Sequence, residues 1–399
     1  MMDEVSRLLA QARAVFPSSG AEEGVRALES TDGLESRTSN RRAPRTRIRK
    51  ALETWVESRV DEKGPKRRHL AQTTATFALS QAERALERTA AGDASSTLST
   101  DEYAALEAIV EVTGRPAMPY RNGLVQMPPD DLGDNDRWRV LIAIGRSEIN
   151  RASAAVGRIS ARSGLGVSLA VGTGWCTPAG FIATNRHVVQ ELVENPDDDP
   201  RSWRLDRDRE PLIDFAVTQG RTAPREFALT ALEYCDSDEE VDLAFLRATS
   251  GAEDLPSPLT LAWKGDKPPR PGTTGVNDLQ GVEIYVVGHP ERPIGSELAA
   301  RIFGAADGGK RWSPGKITRS LPGTRRFEHD CSTLGGNSGS CVLTTGTNSV
   351  IGIHIGGRLH ETDPLRAHAN VALTLAQIPT REIVKHLGVS SLAHGSRKS

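Results

Sequence analysis

Long apolar runs are missing from this chain of 399 residues. No stretch approaches the ~20 consecutive apolar residues that a helix needs to cross a bilayer, which argues against a membrane protein. The first residues, Met1-Met2-Asp3-Glu4-Val5, carry acids where a secretory leader has its apolar segment, so the expected location is the cytoplasm. Excess charge of one sign is missing too. A formal net charge of −2 provides no global field to draw the protein to nucleic acid. Cysteine is scarce, with Cys176, Cys235, Cys331 and Cys341 unevenly spaced and no CxxC pair, which gives no support to zinc and leaves a Cys331–Cys341 bridge open. Cys331 and Cys341 bracket one short loop, and a reducing compartment favours free thiols there. At 37%, hydrophobic residues are too few for one compact core, so part of the chain is expected to be a surface-rich helical region or linker. There is no internal repeat.

Residues 1–115 are rich in Ala, Arg, Glu and Leu and poor in aromatics. Apolar residues recur at helical intervals in Leu8, Leu9, Ala12 and Val15, in Ile48, Leu52, Trp55, Val56 and Val60, and in Leu70, Phe77, Leu79 and Leu86. Ser99, Thr100 and Asp101 are candidate caps for a further helix through Tyr103, Leu106, Ile109 and Val110. The expectation is a small helical bundle, a candidate for recruitment of a partner or for self-assembly. The basic run from Arg41 to Lys50 reads as a solvated linker and helix start, because acids soon follow. Residues 116–154 read as a Pro/Gly-rich connector followed by a helix, and residues 389–399 as a polar tail.

Chemistry concentrates in residues 155–388. The run Gly335-Gly336-Asn337-Ser338-Gly339-Ser340 places a serine in a glycine-rich turn, where the backbone can curl two amide N–H groups toward one point. A serine hydroxyl is a poor nucleophile without a base to take its proton and donors to receive the oxyanion. A candidate base, His187, stands at a strand end in Thr184-Asn185-Arg186-His187-Val188-Val189. A candidate acid, Asp242, enters the apolar strand Val241-Asp242-Leu243-Ala244-Phe245-Leu246, where burial of a carboxylate calls for a partner such as an imidazole N–H. The order His, Asp, Ser is that of one of the three unrelated arrangements of this triad.

Residues 330–340 resemble the trypsin-like serine peptidases of the glutamyl endopeptidase (V8-like) branch, as do Ile351-Gly352-Ile353-His354-Ile355-Gly356-Gly357, the Thr-Asn-Arg-His-Val-Val block and Val286-Val287-Gly288-His289-Pro290. The resemblance implies an all-β fold of two antiparallel barrels behind the helical region, with His187 and Asp242 on one barrel and Ser338 on the other. It implies cleavage of protein substrates through an acyl-enzyme without metal or cofactor, with the N–H groups of Gly336 and Ser338 as oxyanion hole. It further implies that Thr333 and His354 line the pocket for the side chain before the scissile bond and there favour an acidic group. Ser332 stands near where arginine-specific trypsins carry an aspartate, which disfavours a tryptic preference. Asn337 replaces the aspartate that captures a new amino terminus in digestive trypsins, so activation by trimming is not expected. The whole arrangement looks like bacterial fusions in which a death-fold-like or effector-associated helical domain precedes a peptidase used in regulated, often defence-related, proteolysis. Two other readings stand beside it: an interaction protein that keeps the fold without catalysis, and a housekeeping degrader.

Overall fold

The computed structural model describes residue 12 and residues 45–57, 63–90, 99–112, 117–127, 135–162, 168–218, 223–238, 241–249, 254–262, 279–290, 308–321, 324–333, 336–358, 369–375 and 381–388. The helix expected over Leu8–Val15, the start of the basic run at Arg41 and Arg42, and the tail 389–399 lie outside these residues, apart from Ala12 itself.

Three helices pack on one another near the start: α1 (Arg45–Glu57), α2 (Pro65–Ala90) and α3 (Thr100–Val112). On α1 the buried stripe is Ile48, Leu52, Trp55 and Val56, as helical spacing predicts. On α2 the sequence expectation favoured the large side chains, but Phe77 is 43% exposed and the buried face consists of Ala71, Ala75, Ala78, Leu79, Ala82 and Ala85. Small side chains let neighbouring helices approach closely, so the face that packs is the alanine face. The start of α3 is a reciprocal cap: the Glu102 N–H donates to Ser99 Oγ (3.2 Å), and the Ser99 N–H donates to Glu102 Oε2 (2.8 Å). Arg88 of α2 donates to the other Glu102 oxygen at 2.7 Å. Two members of the basic run are paired: Arg45 is forked on Glu83 of α2, and Arg49 donates to Glu53 one turn on.

Residues 117–127 of the connector are hydrogen-bonded to their neighbours. Strands β1 (Met118–Arg121) and β2 (Leu124–Val125) form a hairpin turned by Asn122 and Gly123, both at positive φ. Helix α4 (Asn135–Ala154) follows, with Trp138 edge-on to Trp312 and Asn150 Oδ1 accepting from the Val125 N–H at 2.9 Å.

Two closed six-stranded antiparallel barrels follow. The first contains β3 (Val156–Arg162), β4 (Ser168–Cys176), β5 (Ile182–Thr184), β6 (Leu212–Asp214), β7 (Glu226–Cys235) and β8 (Ala244–Ala248), in the order β3-β4-β5-β8-β7-β6. A short helix α5 (Arg186–Gln190) leaves β5. The second barrel contains β9 (Glu283–Gly288), β10 (Arg311–Ser320), β11 (Arg326–His329), β12 (Cys341–Thr344), β13 (Val350–Arg358) and β14 (Ala369–Thr374), and it closes because β10 also pairs with β11. The hairpin extends this barrel: Met118 lies opposite Trp312 and Pro119 opposite Arg311. Helix α6 (Arg381–Leu387) returns to the first barrel, where the His386 ring stacks on Phe245 at 5.3 Å and the Thr177 hydroxyl donates to the His386 carbonyl at 2.8 Å. At the junction, buried Lys310 donates through Nζ to the carbonyls of Ser153 (2.7 Å) and Phe215 (3.1 Å), tying the second barrel to the end of α4 and to the first barrel. All four cysteines are free and buried. No helix among the described residues is long and apolar enough to cross a membrane.

The cap on α3 is open to a direct test. Glu102→Ala is expected to lower unfolding stability by about 1–2 kcal/mol, because it removes a cap and strands Arg88. Phe77→Ala is expected to change it by no more than about 0.5 kcal/mol, since this side chain lies on the outer face. Urea unfolding of both variants checks the contrast, and equal losses would contradict the assignment of the faces.

Candidate active site

The site lies where the ends of β4, β5 and β8 meet the loop before β12. His187 sits in the first turn of α5, its side chain 44% exposed, while Asp242 is buried just ahead of β8. The ring Nδ1 lies 2.9 Å from Asp242 Oδ2 and 3.1 Å from Oδ1, and the His187 backbone N–H donates to Oδ1 at 3.1 Å. With the carboxylate as acceptor, Nδ1 carries the proton and Nε2 is left as the basic nitrogen. Among the described residues Nε2 has no hydrogen-bond partner.

Holding Asp242 there requires an uncommon backbone. Its φ of 40° lies in the left-handed region, which Asp tolerates better than most residues but still at a cost of about 1 kcal/mol or more. Asn185 compensates. It occupies the N-cap position of α5, yet its side chain makes no capping bond; Nδ2 donates instead to the Asp242 carbonyl at 2.9 Å. Asn185 is fully buried, so this bond works in a dry setting.

Ser338 is half-buried, and its Oγ donates to the Ile355 carbonyl on β13 at 3.3 Å. The structure therefore joins His187 to Asp242 directly, and it turns the serine hydroxyl toward β13. The histidine helix and the serine loop are nonetheless close neighbours. A methyl group added to Gly172 on β4 would fall 2.7 Å from Val188, next to His187, and 3.1 Å from the Ser338 carbonyl oxygen.

The serine loop is held from both barrels. The Thr173 N–H donates to the Ser338 carbonyl (2.8 Å), and the Gly339 N–H donates to the His354 carbonyl (3.0 Å). Gly336 and Gly339 have φ of 82° and 85°. Neither the Gly336 N–H nor the Ser338 N–H donates to an acceptor among the described residues. Thr333 and His354 are both buried. The Thr333 hydroxyl has no hydrogen-bond partner among the described residues, while His354 Nδ1 lies 3.2 Å from His329 Nε2. Sequence reasoning missed Thr173, Asn185 and His329. The first two lie in Gly172-Thr173-Gly174 and Thr184-Asn185-Arg186-His187, so the signal available was their adjacency to the motif; His329 gave none.

One further histidine borders the loop. His289, after β9, donates its N–H to Thr173 Oγ1 at 3.1 Å, and its Nδ1 lies 3.0 Å from the Gly308 carbonyl, so the proton sits on Nδ1. Burial, reinforced by Lys310, pushes its pKa well below the ordinary histidine range.

Residues 172–353 match the family model described as a trypsin-like peptidase domain, and the double barrel agrees with it. The likeness supports a serine peptidase. The chain is 28% identical over 273 residues to a probable serine protease of Lysobacter enzymogenes, covering 62% of this chain and 67% of that protein. The active form of the Rv3671c protease from M. tuberculosis is similar at 18% identity, covering 62% of this chain and 87% of that one with a TM-score of 0.37.

Two outcomes follow from this geometry. Gly339→Ala is expected to abolish activity, because a Cβ there would meet the Thr173 carbonyl and lie 2.5 Å from Thr184 Oγ1 in a backbone region that strains any side chain. Wild-type turnover by this variant would refute the close fit. His289, neutral in the fold, takes up a proton only on unfolding as pH falls below about 6.5, so its contribution is full above that pH and is lost below it. The stability advantage of wild type over His289→Gln should therefore shrink between pH 7.5 and 5, and an advantage independent of pH would contradict the buried neutral ring.

Proposed function

We propose that this chain is a serine endopeptidase in which Ser338 is the nucleophile, His187 the general base and acid, and Asp242 the group that orients and stabilises the imidazolium. The observation that carries this reading is the His187–Asp242 pair beside a serine loop with two uncommitted N–H groups. Rotation about the Ser338 Cα–Cβ bond turns Oγ from the Ile355 carbonyl toward His187 Nε2, a bond that commonly tightens only when substrate is present. Oγ then attacks the scissile carbonyl carbon while Nε2 takes its proton. The carbonyl oxygen becomes an oxyanion and receives hydrogen bonds from the N–H groups of Gly336 and Ser338. Collapse breaks the C–N bond, Nε2 gives its proton to the leaving amine, and a water repeats the sequence on the acyl-enzyme.

The preference for an acidic residue before the cut rests on Thr333 and His354. A buried hydroxyl with no partner among the described residues and an imidazole backed by a second imidazole are both able to donate to a carboxylate. The helices ahead of the peptidase domain serve, in this reading, to recruit or gate it in the cytoplasm, in keeping with regulated and defence-related proteolysis. Packed mainly on one another, they have the form of an interaction module.

Labelling with a fluorophosphonate probe and turnover of a peptide library test these roles. Ser338→Ala should lose labelling and about 10⁵–10⁶-fold in kcat without unfolding, and Asp242→Asn should lose about 10⁴-fold. Wild-type protein that neither labels nor cleaves would favour the interaction-protein reading. A library profile without enrichment of Glu or Asp before the cut would remove the pocket assignment alone.

A further inference from the structure

Thr173 belongs to the first barrel, but its polar groups are spent largely on the second. Its N–H donates to the Ser338 carbonyl at 2.8 Å, and its hydroxyl donates to the Gly336 carbonyl at 2.9 Å. The same hydroxyl oxygen accepts from the His289 N–H at 3.1 Å, which leaves its single proton directed at Gly336. Its carbonyl accepts from the Thr184 hydroxyl at 2.8 Å, so the residue is anchored in its own barrel as well. Thr173, Thr184 and His289 are all buried, so these bonds lie in a low-dielectric setting that strengthens them.

We propose that Thr173 is a positioning residue for the oxyanion hole, the side chain through which the first barrel fixes the aim of the Gly336 and Ser338 N–H groups. The proposal rests on the reading of those two groups as the hole. Gly336 is what makes such a tie necessary. With φ of 82° and no Cβ, its backbone has wide rotational freedom, and rotation would swing its N–H out of line with that of Ser338. The Thr173 hydroxyl holds the Gly336 carbonyl, and the Thr173 N–H holds the Ser338 carbonyl. Between them the Asn337 carbonyl accepts from the Ser340 N–H at 2.9 Å. Three consecutive carbonyls are thereby fixed, two of them by one residue. Each carbonyl shares a rigid peptide plane with the next N–H, so the Ser338 N–H is aimed through the Asn337 carbonyl, while the Gly336 N–H is confined by the held carbonyl of its own residue. His289 acts one step further back, by orienting the hydroxyl.

Thr173→Val keeps the shape and removes the hydroxyl, while Thr173→Ser keeps the hydroxyl. With active sites counted by fluorophosphonate titration, the Val variant should lose about 10²-fold in kcat, with KM within about threefold of wild type, as for loss of one oxyanion donor. Its affinity for a peptide aldehyde, which forms a tetrahedral adduct on the serine, should fall by a similar factor. Thr173→Ser should recover kcat to within about fivefold. A merely structural role would reduce the number of titratable sites and leave kcat per site and aldehyde affinity unchanged, and that result would overturn the proposal. Thr173→Cys, with a weak S–H donor, keeps the test open if the Val variant does not fold. Its kcat per site should fall between those of wild type and an oxyanion-donor deletion, and a wild-type value would again overturn the assignment. If wild-type protein itself fails to react with the probe, the peptidase reading fails and this proposal falls with it, whereas wild-type labelling with an unchanged Thr173→Val overturns the proposal alone.

Discussion

A carboxylate that is only 7% exposed survives in a folded protein only where donors meet it, and Asp242 sets that requirement for the whole site. Among the described residues its donors come from one residue, His187, which offers both its backbone N–H and its ring. That double contact fixes where α5 starts, which way the imidazole faces and which of its nitrogens stays basic. The left-handed backbone at Asp242 is part of the same arrangement, since it turns the carboxylate back toward the helix. Asn185 gives up its usual capping bond to hold that backbone in place. The stability of one short helix is thus exchanged for the orientation of one acid.

The second requirement is that two barrels, whose buried apolar residues run into one another at the junction, keep a fixed relation. Apolar contact alone is non-directional and would allow sliding. Directional bonds prevent it: Thr173 reaches Ser338 and Gly336, and Lys310 reaches Ser153 and Phe215. Lys310 is a buried cation bonded to carbonyl oxygens, an expensive arrangement that is tolerable where each bond is well made. Such junctions favour a unique alignment, which a site assembled from both barrels requires.

Of the candidate site, the His187–Asp242 pair was legible, because a histidine at a strand end and an acid entering an apolar strand are chemically distinctive. Ser338 stands out in the sequence by its glycine-rich surroundings. Thr173 and Asn185 are not distinctive. Threonine and asparagine occur throughout loops, and only three-dimensional neighbours reveal which bond each makes. The hairpin at Asn122-Gly123 was overshadowed by the prolines around it, although Asn-Gly is a strong turn signal, because its partner strand lies nearly two hundred residues away. On α2 the expected Leu79 is buried and Leu86 packs on the core, but Phe77 is exposed and alanines supply the rest of the packed face. Periodicity gives the repeat of a helix, but not which of two apolar stripes faces the neighbour.

The path of the chain crosses between the two barrels at both ends. The strand pair that precedes the first barrel is stitched to the second, and the helix that follows the second is laid on the first. Each half is therefore completed by a segment covalently attached to the other, like two hands each gripping the opposite wrist. Severing the link between β8 and β9 would not release either half, and partial loss of one would expose the seam of its twin. Crossed ends of this kind couple the unfolding of one half to that of the other, which two barrels joined merely end to end would lack.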